Sequence, residues 1–300
     1  MRILVAGAHG QLAQALRAVA PAFQDCTLTF RGRPDFDLRD YSSLKQQISD
    51  FAPDIVINAA AHTGVDRAEA EPEETFRVNA QGAGNLARAA AAVQAAILHV
   101  STDYVFSGES QTPYNESAPT RPINVYGHSK LAGENAVRAA NPQSIVARTA
   151  WVFSPWGNNF LKTIMLLGRE RDELRIVGDQ FGSPTYATDL AQALLSIARV
   201  ARRSGADDAV WGTYHVTNSG LASWYDLATA TFAAASWHGF RQPRLINITT
   251  DEYPTRARRP RYTVLNNEKF NRVFAMPMRH WRDAVEACVE QTLPPDHLAP

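Results

Sequence analysis

Tyr126-Gly127-His128-Ser129-Lys130 sets a phenol and an ammonium four residues apart, a spacing that brings both to one face of a helix. Reducing a ketone requires such a pair, because the oxygen that gains negative charge as hydride reaches its carbon must be given a proton. A free tyrosine, with a pKa near ~10, is a slow partner at neutral pH. A lysine cation beside it favours phenolate, draws that pKa down and can also hold a nicotinamide ribose. Upstream, the apolar run from Leu98 ends in Ser101-Thr102-Asp103-Tyr104, where Thr102 can hold a carbonyl oxygen between itself and Tyr126. The expected roles are proton donor for Tyr126, electrostatic tuner and cofactor anchor for Lys130, and substrate orienter for Thr102. Alone, Tyr-x-x-x-Lys fits an ordinary amphipathic helix better, by several to one, so the reading rests on conjunction with other features.

The first of these is Gly7-Ala8-His9-Gly10-Gln11-Leu12-Ala13, which follows an apolar run and opens a helical pattern. A dinucleotide pyrophosphate meets backbone N–H groups and a positive helix end in such a loop. Gly7 permits the tight turn, Gly10 permits close approach, and Ala13 replaces a third glycine where helix and strand pack. In an NAD-type site an acid about 20 residues further on holds the ribose hydroxyls. Arg31, Gly32 and Arg33 stand at the end of the second strand instead. A guanidinium pairs with a 2′-phosphate, which favours NADPH and leaves NADH open; the alternative is that these arginines face solvent. Asp37 and Leu38 stand where they can flank an adenine, one as acceptor and one as apolar contact.

These residues need a sheet edge to gather them. The first half alternates short apolar runs with helical periodicity, the pattern of parallel strands joined by crossover helices. Strands are expected over Ile3–Ala6, Thr27–Phe30, Ile55–Asn58, Ile97–Ser101 and Ser144–Arg148. Leu12, Leu16 and Val19, and again Leu44, Ile48 and Phe51, each make one helix face to lie on that sheet. The fold class is α/β: a Rossmann-type doubly wound parallel sheet with a smaller, interleaved α/β substrate-binding lobe. The dinucleotide-binding domain is expected over 1–148 and the substrate-binding lobe mainly over 149–300. A helix near 186–199 is expected to pack back on the first domain, Trp281, Ala284, Val285 and Cys288 to form one face of a terminal helix, and 294–300 to be loose.

Composition narrows the function classes. Thirty basic and thirty acidic residues cancel, so no overall field favours nucleic acid or an anionic membrane. The cluster Arg256, Arg258, Arg259 and Arg261, interrupted by Pro260, suits a solvated loop or an anionic small molecule better than a nucleic-acid arm. Cys26 and Cys288 belong to no metal or redox motif and read as packing residues. No apolar stretch approaches the ~20 residues of a membrane span, and the opening apolar run is too short for a signal peptide. A cytoplasmic enzyme, monomer or homodimer, is expected.

Further words complete the pattern: Asn58-Ala59-Ala60-Ala61-His62-Thr63 with Val65-Asp66 and Glu69; Ser101-Thr102-Asp103-Tyr104-Val105-Phe106; Asn124-Val125-Tyr126-Gly127; Arg148-Thr149-Ala150-Trp151-Val152; Gly157-Asn158-Asn159-Phe160; and Asp179-Gln180-Phe181-Gly182-Ser183-Pro184-Thr185. Over almost its whole length the chain resembles the extended short-chain dehydrogenase/reductases, and within them the dTDP-4-dehydrorhamnose reductases. The resemblance implies that Gly10, Gln11, Leu12, Asp37, Leu38, Ala61, His62, Thr63, Tyr126 and Lys130 contact the cofactor. It implies that Val65, Thr102, Asp103, Tyr104, Tyr126 and Trp151 contact a dTDP-sugar, with Arg259 toward its diphosphate; Trp151 also fits a core aromatic. Reduction of the 4-keto group of dTDP-4-dehydro-L-rhamnose is the implied reaction. Another nucleotide-sugar 4-ketoreductase of different stereochemistry, or a non-catalytic NADP-binding regulatory subunit, are the alternatives. Some members are magnesium-linked dimers, but Ala15 and Thr188 stand where their acidic ligands are expected, and neither offers a carboxylate. No metal is therefore expected.

Overall fold

The computed structural model describes residues 1–206 and 208–293; the expectation for 294–300 lies outside the described residues. Along the first half run β1 (Arg2–Ala6), α1 (Gln11–Val19), β2 (Thr27–Arg31), α2 (Tyr41–Phe51) and β3 (Ile55–Asn58). Short helices α3 (Val65–Ala70) and α4 (Pro72–Phe76) lead through a π-helical turn, Arg77–Gly82, into α5 (Ala83–Ala92). Next come β4 (Ala96–Thr102), α6 (Val125–Ala140) and β5 (Ser144–Thr149). Each of the five expected strands is present, with ends that differ by at most one residue. The second half contains β6 (Val152–Phe153), α7 (Phe160–Glu170), β7 (Glu173–Val177), β8 (Phe181–Gly182), β9 (Thr185–Tyr186) and α8 (Ala187–Ala201). It continues through β10 (Gly212–His215), β11 (Ala222–Ser223), α9 (Trp224–Ser236), β12 (Arg244–Ile248), α10 (Glu268–Phe274) and α11 (Trp281–Thr292).

Six strands form one parallel sheet in the order β10-β5-β4-β3-β1-β2. Successive strand residues point to opposite faces, so a buried apolar run must feed two cores. Ile3, Val5, Ile55, Ile57, Leu98 and Ile145 pack with Leu16 of α1 and Leu190 and Leu194 of α8. Leu4, Ala6, Val56 and Ile97 pack with Leu44 and Ile48 of α2, Leu86 of α5 and Val137 of α6 on the other face. This is the doubly wound α/β arrangement. Strand order reverses beside β1, whose neighbours are β2 and β3, and that reversal opens a crevice at the carboxyl ends of the strands. The glycine loop, the segment after β3 and the Ser-Thr-Asp end of β4 all emerge there.

The smaller lobe has its own core. Phe153, Leu161 and Met165 meet Leu227, Trp281, Val285 and Cys288, while Ile164 and Phe232 cover Leu174 and Ile176 of β7, which pairs with β12. Asn159 caps α7 by accepting from Lys162 N, and Ser223 caps α9 through a reciprocal box with Asp226. Cys26 and Cys288 are both free. No helix among the described residues is long and apolar enough to cross a membrane.

The seating of α6 matters most to the crevice. Asn124 caps it by accepting from Gly127 N at 2.8 Å, and Gly133 lets it press on the π-helical turn: a Cβ added there would fall 2.1 Å from Asn79 O. That neighbour is backbone and cannot rotate away. Gly133→Ala should therefore cost about 2 kcal/mol by overpacking and lower the melting temperature by roughly 5 °C. Calorimetry checks this; an unchanged melt would mean that α6 can back away from Asn79 freely.

Candidate active site

At the carboxyl end of β1, Gly7 has φ 103°, a left-handed conformation that favours glycine. An added Cβ would lie 2.8 Å from Ala60 N, so the turn rests directly on the chain leaving β3. Gly10 differs: a Cβ there meets nothing within 4 Å. It is also the N-cap of α1 and contributes no side-chain hydrogen bond, which leaves the first amides of the helix without a capping side chain. These features fit a pyrophosphate. Arg17 reaches back from α1 to donate to Ala8 O at 2.6 Å and stacks over Phe30, a bracing of the loop that periodicity alone does not reveal. Arg31 and Arg33 are exposed and make no ion pair among the described residues, as a 2′-phosphate site requires. Asp37 is forked by Arg39, whose guanidinium holds the carboxyl below the usual carboxylate range. Leu38 is 5% exposed and packs with Phe36 and Leu44, so only a small part of it can face an adenine.

Beyond β3, the Ala61-His62-Thr63 segment is pinned by a residue that the motifs did not single out. Asn79, 1% exposed, accepts from His62 N at 2.7 Å and donates to His62 O at 3.0 Å and Ser129 Oγ at 2.9 Å. Ser129 Oγ in turn donates to Tyr126 O at 2.7 Å. One side chain thus ties the loop to the first turns of α6. Its partners are distant in the chain, so no local sequence signal marks it.

Tyr126, Lys130, Thr102, Asp103 and Tyr104 gather where β4 ends. Lys130 Nζ donates to Val100 O at 2.7 Å, and Tyr104 meets Tyr126 edge-on with ring centroids 6.0 Å apart. Burial pushes the Tyr126 phenol up to about 12; contact with the Thr102 hydroxyl opposes this and the charge of Asp103 adds to it. Burial draws Lys130 down to about 8 against the pull of Glu134. The direction for Tyr126 is opposite to the expectation that Lys130 draws it down: burial dominates and keeps the phenol protonated at neutral pH. Burial also raises the Tyr104 phenol.

Asp103 is 2% exposed. It accepts from Thr102 Oγ1 at 3.0 Å and, through its other oxygen, from Thr263 Oγ1. Thr102 has one hydroxyl proton, which this geometry directs at Asp103, while its oxygen accepts from Tyr104 N at 3.2 Å. Burial lifts the Asp103 carboxyl to about 6 despite those hydrogen bonds. Thr263, from the far end of the chain, was not marked by any motif.

On the opposite wall Trp151 has φ 46°, a costly backbone conformation for a bulky residue. Its indole stacks on Trp224 with centroids 3.6 Å apart and planes within 6°. Val65 opens α3 and is half-buried. Gln11 Oε1, from the glycine loop, accepts from Ser154 Oγ at 2.9 Å and Asn159 Nδ2 at 3.2 Å, joining the two lobes. Arg259 donates to Asp66 at 2.6 Å and is less free than its neighbours. Arg256, Arg258 and Arg261 line an open cleft of 790 Å³ with Ser107, Gly108 and Tyr253. Ala15 is fully buried, and no cluster of three or more His, Cys, Asp or Glu side chains able to hold a metal stands among the described residues.

Residues 1–293 match the family model described as the RmlD substrate binding domain. A dTDP-4-dehydrorhamnose reductase of Sinorhizobium fredii is 43% identical over 290 residues, covering 96% of this chain and 97% of that protein. The crystal structure of a dTDP-4-dehydrorhamnose reductase from Clostridium acetobutylicum superposes with a TM-score of 0.90 at 36% identity, covering 97% and 99% of the two chains. One from Bacillus anthracis, in complex with NADP, superposes with a TM-score of 0.89 at 33% identity and the same coverage.

The raised Asp103 carboxyl has a consequence for stability. Its folded value, about 6, exceeds the ordinary 3.8, so its stabilising contribution is complete below pH 4 and is lost as pH rises through 6. Between pH 4 and 7, Asp103→Asn should gain about 3 kcal/mol of unfolding free energy relative to the unsubstituted chain. Urea unfolding of both at several pH values measures the difference; a constant offset across that range would refute the assignment.

Proposed function

The chain belongs to the RmlD substrate binding domain family, and from that premise we propose that it reduces the 4-keto group of dTDP-4-dehydro-L-rhamnose with NADPH, yielding dTDP-L-rhamnose. The observation that carries this reading is the meeting, at one sheet edge, of the open Gly10 turn with half-buried Tyr126 and buried Lys130. When bound, the nicotinamide supplies the hydride. Tyr126 holds the proton that the C4 oxygen needs, since burial keeps it a phenol. Lys130, fixed by Val100 O, holds positive charge beside it and reaches the ribose of the cofactor. Thr102, held by Asp103 and by Tyr104 N, places its hydroxyl near Tyr126 and orients the substrate carbonyl oxygen. Trp151, stacked on Trp224, forms an apolar wall that orients the deoxysugar and excludes water.

The dinucleotide is assigned to 1–148 and the sugar nucleotide mainly to 149–300. Gly7, Gly10, Gln11 and Leu12 support the pyrophosphate; Arg31 favours a 2′-phosphate, with NADH as the weaker donor. Ala61, His62 and Thr63 line the nicotinamide side. Val65, Asp103, Tyr104 and Trp151 face the sugar, with Arg259 nearer its diphosphate. The enzyme is proposed to act in the cytoplasm, as monomer or homodimer and without nucleic acid, supplying an activated deoxysugar for polysaccharide.

Mixing the protein with the keto sugar nucleotide and NADPH should cause loss of reduced-cofactor absorbance, and NMR of the product should show the L-rhamno configuration. Tyr126→Phe should lower kcat by about 10²–10⁴-fold while NADPH still binds. No oxidation above background would overturn the reading, and a talo product would move it to a different 4-ketoreductase.

A further inference from the structure

One turn past Lys130, on the same face of α6, lies a charge pair that the reduction itself does not use. Glu134 is fully buried. Its Oε1 accepts from Ser101 Oγ at 2.7 Å and Arg148 Nε at 2.9 Å, and its Oε2 from Arg148 Nη2 at 2.8 Å. Arg148 is 3% exposed and lies over the Phe106 ring. Ser101 and Arg148 are register partners across β4 and β5, so one carboxylate spans two neighbouring strands from the helix above them. Val100 holds Lys130 and Ser101 holds Glu134: consecutive strand residues grip consecutive turns of α6.

Taking two ions out of water costs several kcal/mol each, and an apolar pair of similar size generally packs as well or better. Close packing alone does not call for this pair. We propose that Glu134, clamped by Arg148 and Ser101, is a positioning residue for the reaction: it locks the register of Tyr126 over Thr102 and supplies the negative charge that keeps Lys130 an ammonium. The proposal rests on the ketoreductase reading for the task of Lys130, while the clamp stands on geometry.

Other groups around Lys130 do not replace this charge. Arg138, on the same helix, is itself drawn toward Glu134 and Thr213. His99 of β4 is kept neutral by burial, with Lys130 and Arg138 adding to that effect. Asp103, past the end of β4, is engaged by Thr102 and Thr263. Glu69 of α3 accepts from Val125 N at 2.8 Å, at the start of the helix. The turn at Arg77–Gly82 presents uncharged Asn79 to the helix through Ser129. Among the charges surrounding Lys130, Glu134 is the one that favours its cation.

The lysines of the chain are Lys45, Lys130, Lys162 and Lys269, so ε-methylene NMR of the full protein can follow each one, with Lys130 assigned by its loss in Lys130→Met. Glu134→Gln should lower the Lys130 titration midpoint by about one pH unit, because an uncompensated Arg148 remains. Arg148→Met should move it in the opposite direction, and the alkaline limb of kcat should follow each shift. A purely structural clamp would reduce the melting temperature in both variants and leave both midpoints where they were, which overturns the proposal. Should either single variant fail to fold, Glu134→Gln/Arg148→Met, with no unpaired buried ion, decides: one charge of each sign is removed, so the Lys130 midpoint should stay near its wild-type value, and a kcat reduced about tenfold at that midpoint supports the positioning role, whereas a wild-type kcat refutes it. If the unsubstituted protein leaves the keto sugar unreduced, the ketoreductase reading fails while the NMR titration still tests the charge of Lys130.

Discussion

Burying the Lys130 ammonium against the carbonyl of Val100 commits α6 to one seat on β4. The cation loses its water and gains a single backbone acceptor at 2.7 Å, so any slip of the helix would leave the charge unsatisfied at a cost of several kcal/mol. Other parts of the site inherit their places from this constraint. Tyr126 lies one turn earlier on the helix, Thr102 two residues further along the strand, and the loop after β3 is tied to the helix through Asn79 and Ser129. Gly133 permits the approach, and Asn124 starts the helix where Tyr126 must stand.

Within that frame burial governs the proton inventory. Tyr126, Tyr104 and Asp103 all shift toward their protonated forms and Lys130 toward its neutral one. A site that dries its titratable groups favours proton storage over charge. The hydroxyls give the arrangement direction: Thr102 and Thr263 both donate to Asp103, and the Thr102 oxygen accepts from Tyr104 N. A residue near the end of the chain therefore helps hold the carboxylate that orients Thr102 at the end of β4.

Much of the scaffold was legible in the sequence because strands covered on two faces must be apolar at nearly every position. β1, β3 and β4 could be recognised from that rule alone. β10 could not: Gly212-Thr213-Tyr214-His215 is short, half polar, and follows a long helix, and it joins the sheet because β5 offers an open edge. Gly7, Gly10, Tyr126 and Lys130 announced themselves by spacing. Asn79, Trp224, Thr263 and Glu134 did not, since each acts through a partner distant in sequence, and pairwise complementarity leaves no periodic trace. The sign of the Tyr126 shift was misjudged for a related reason, because the lysine beside it was visible in the sequence and the depth of burial was not.

Gln11 belongs to the turn proposed to hold the pyrophosphate, yet its side-chain oxygen is shared between Ser154 and Asn159, which follow closely on Trp151. A ligand that drew this turn toward itself would therefore pull on the segment carrying Trp151. By thermodynamic reciprocity, whatever free energy occupancy at one of these places lends to affinity at the other through this link is returned in full. Two walls of the crevice are thus joined by one amide.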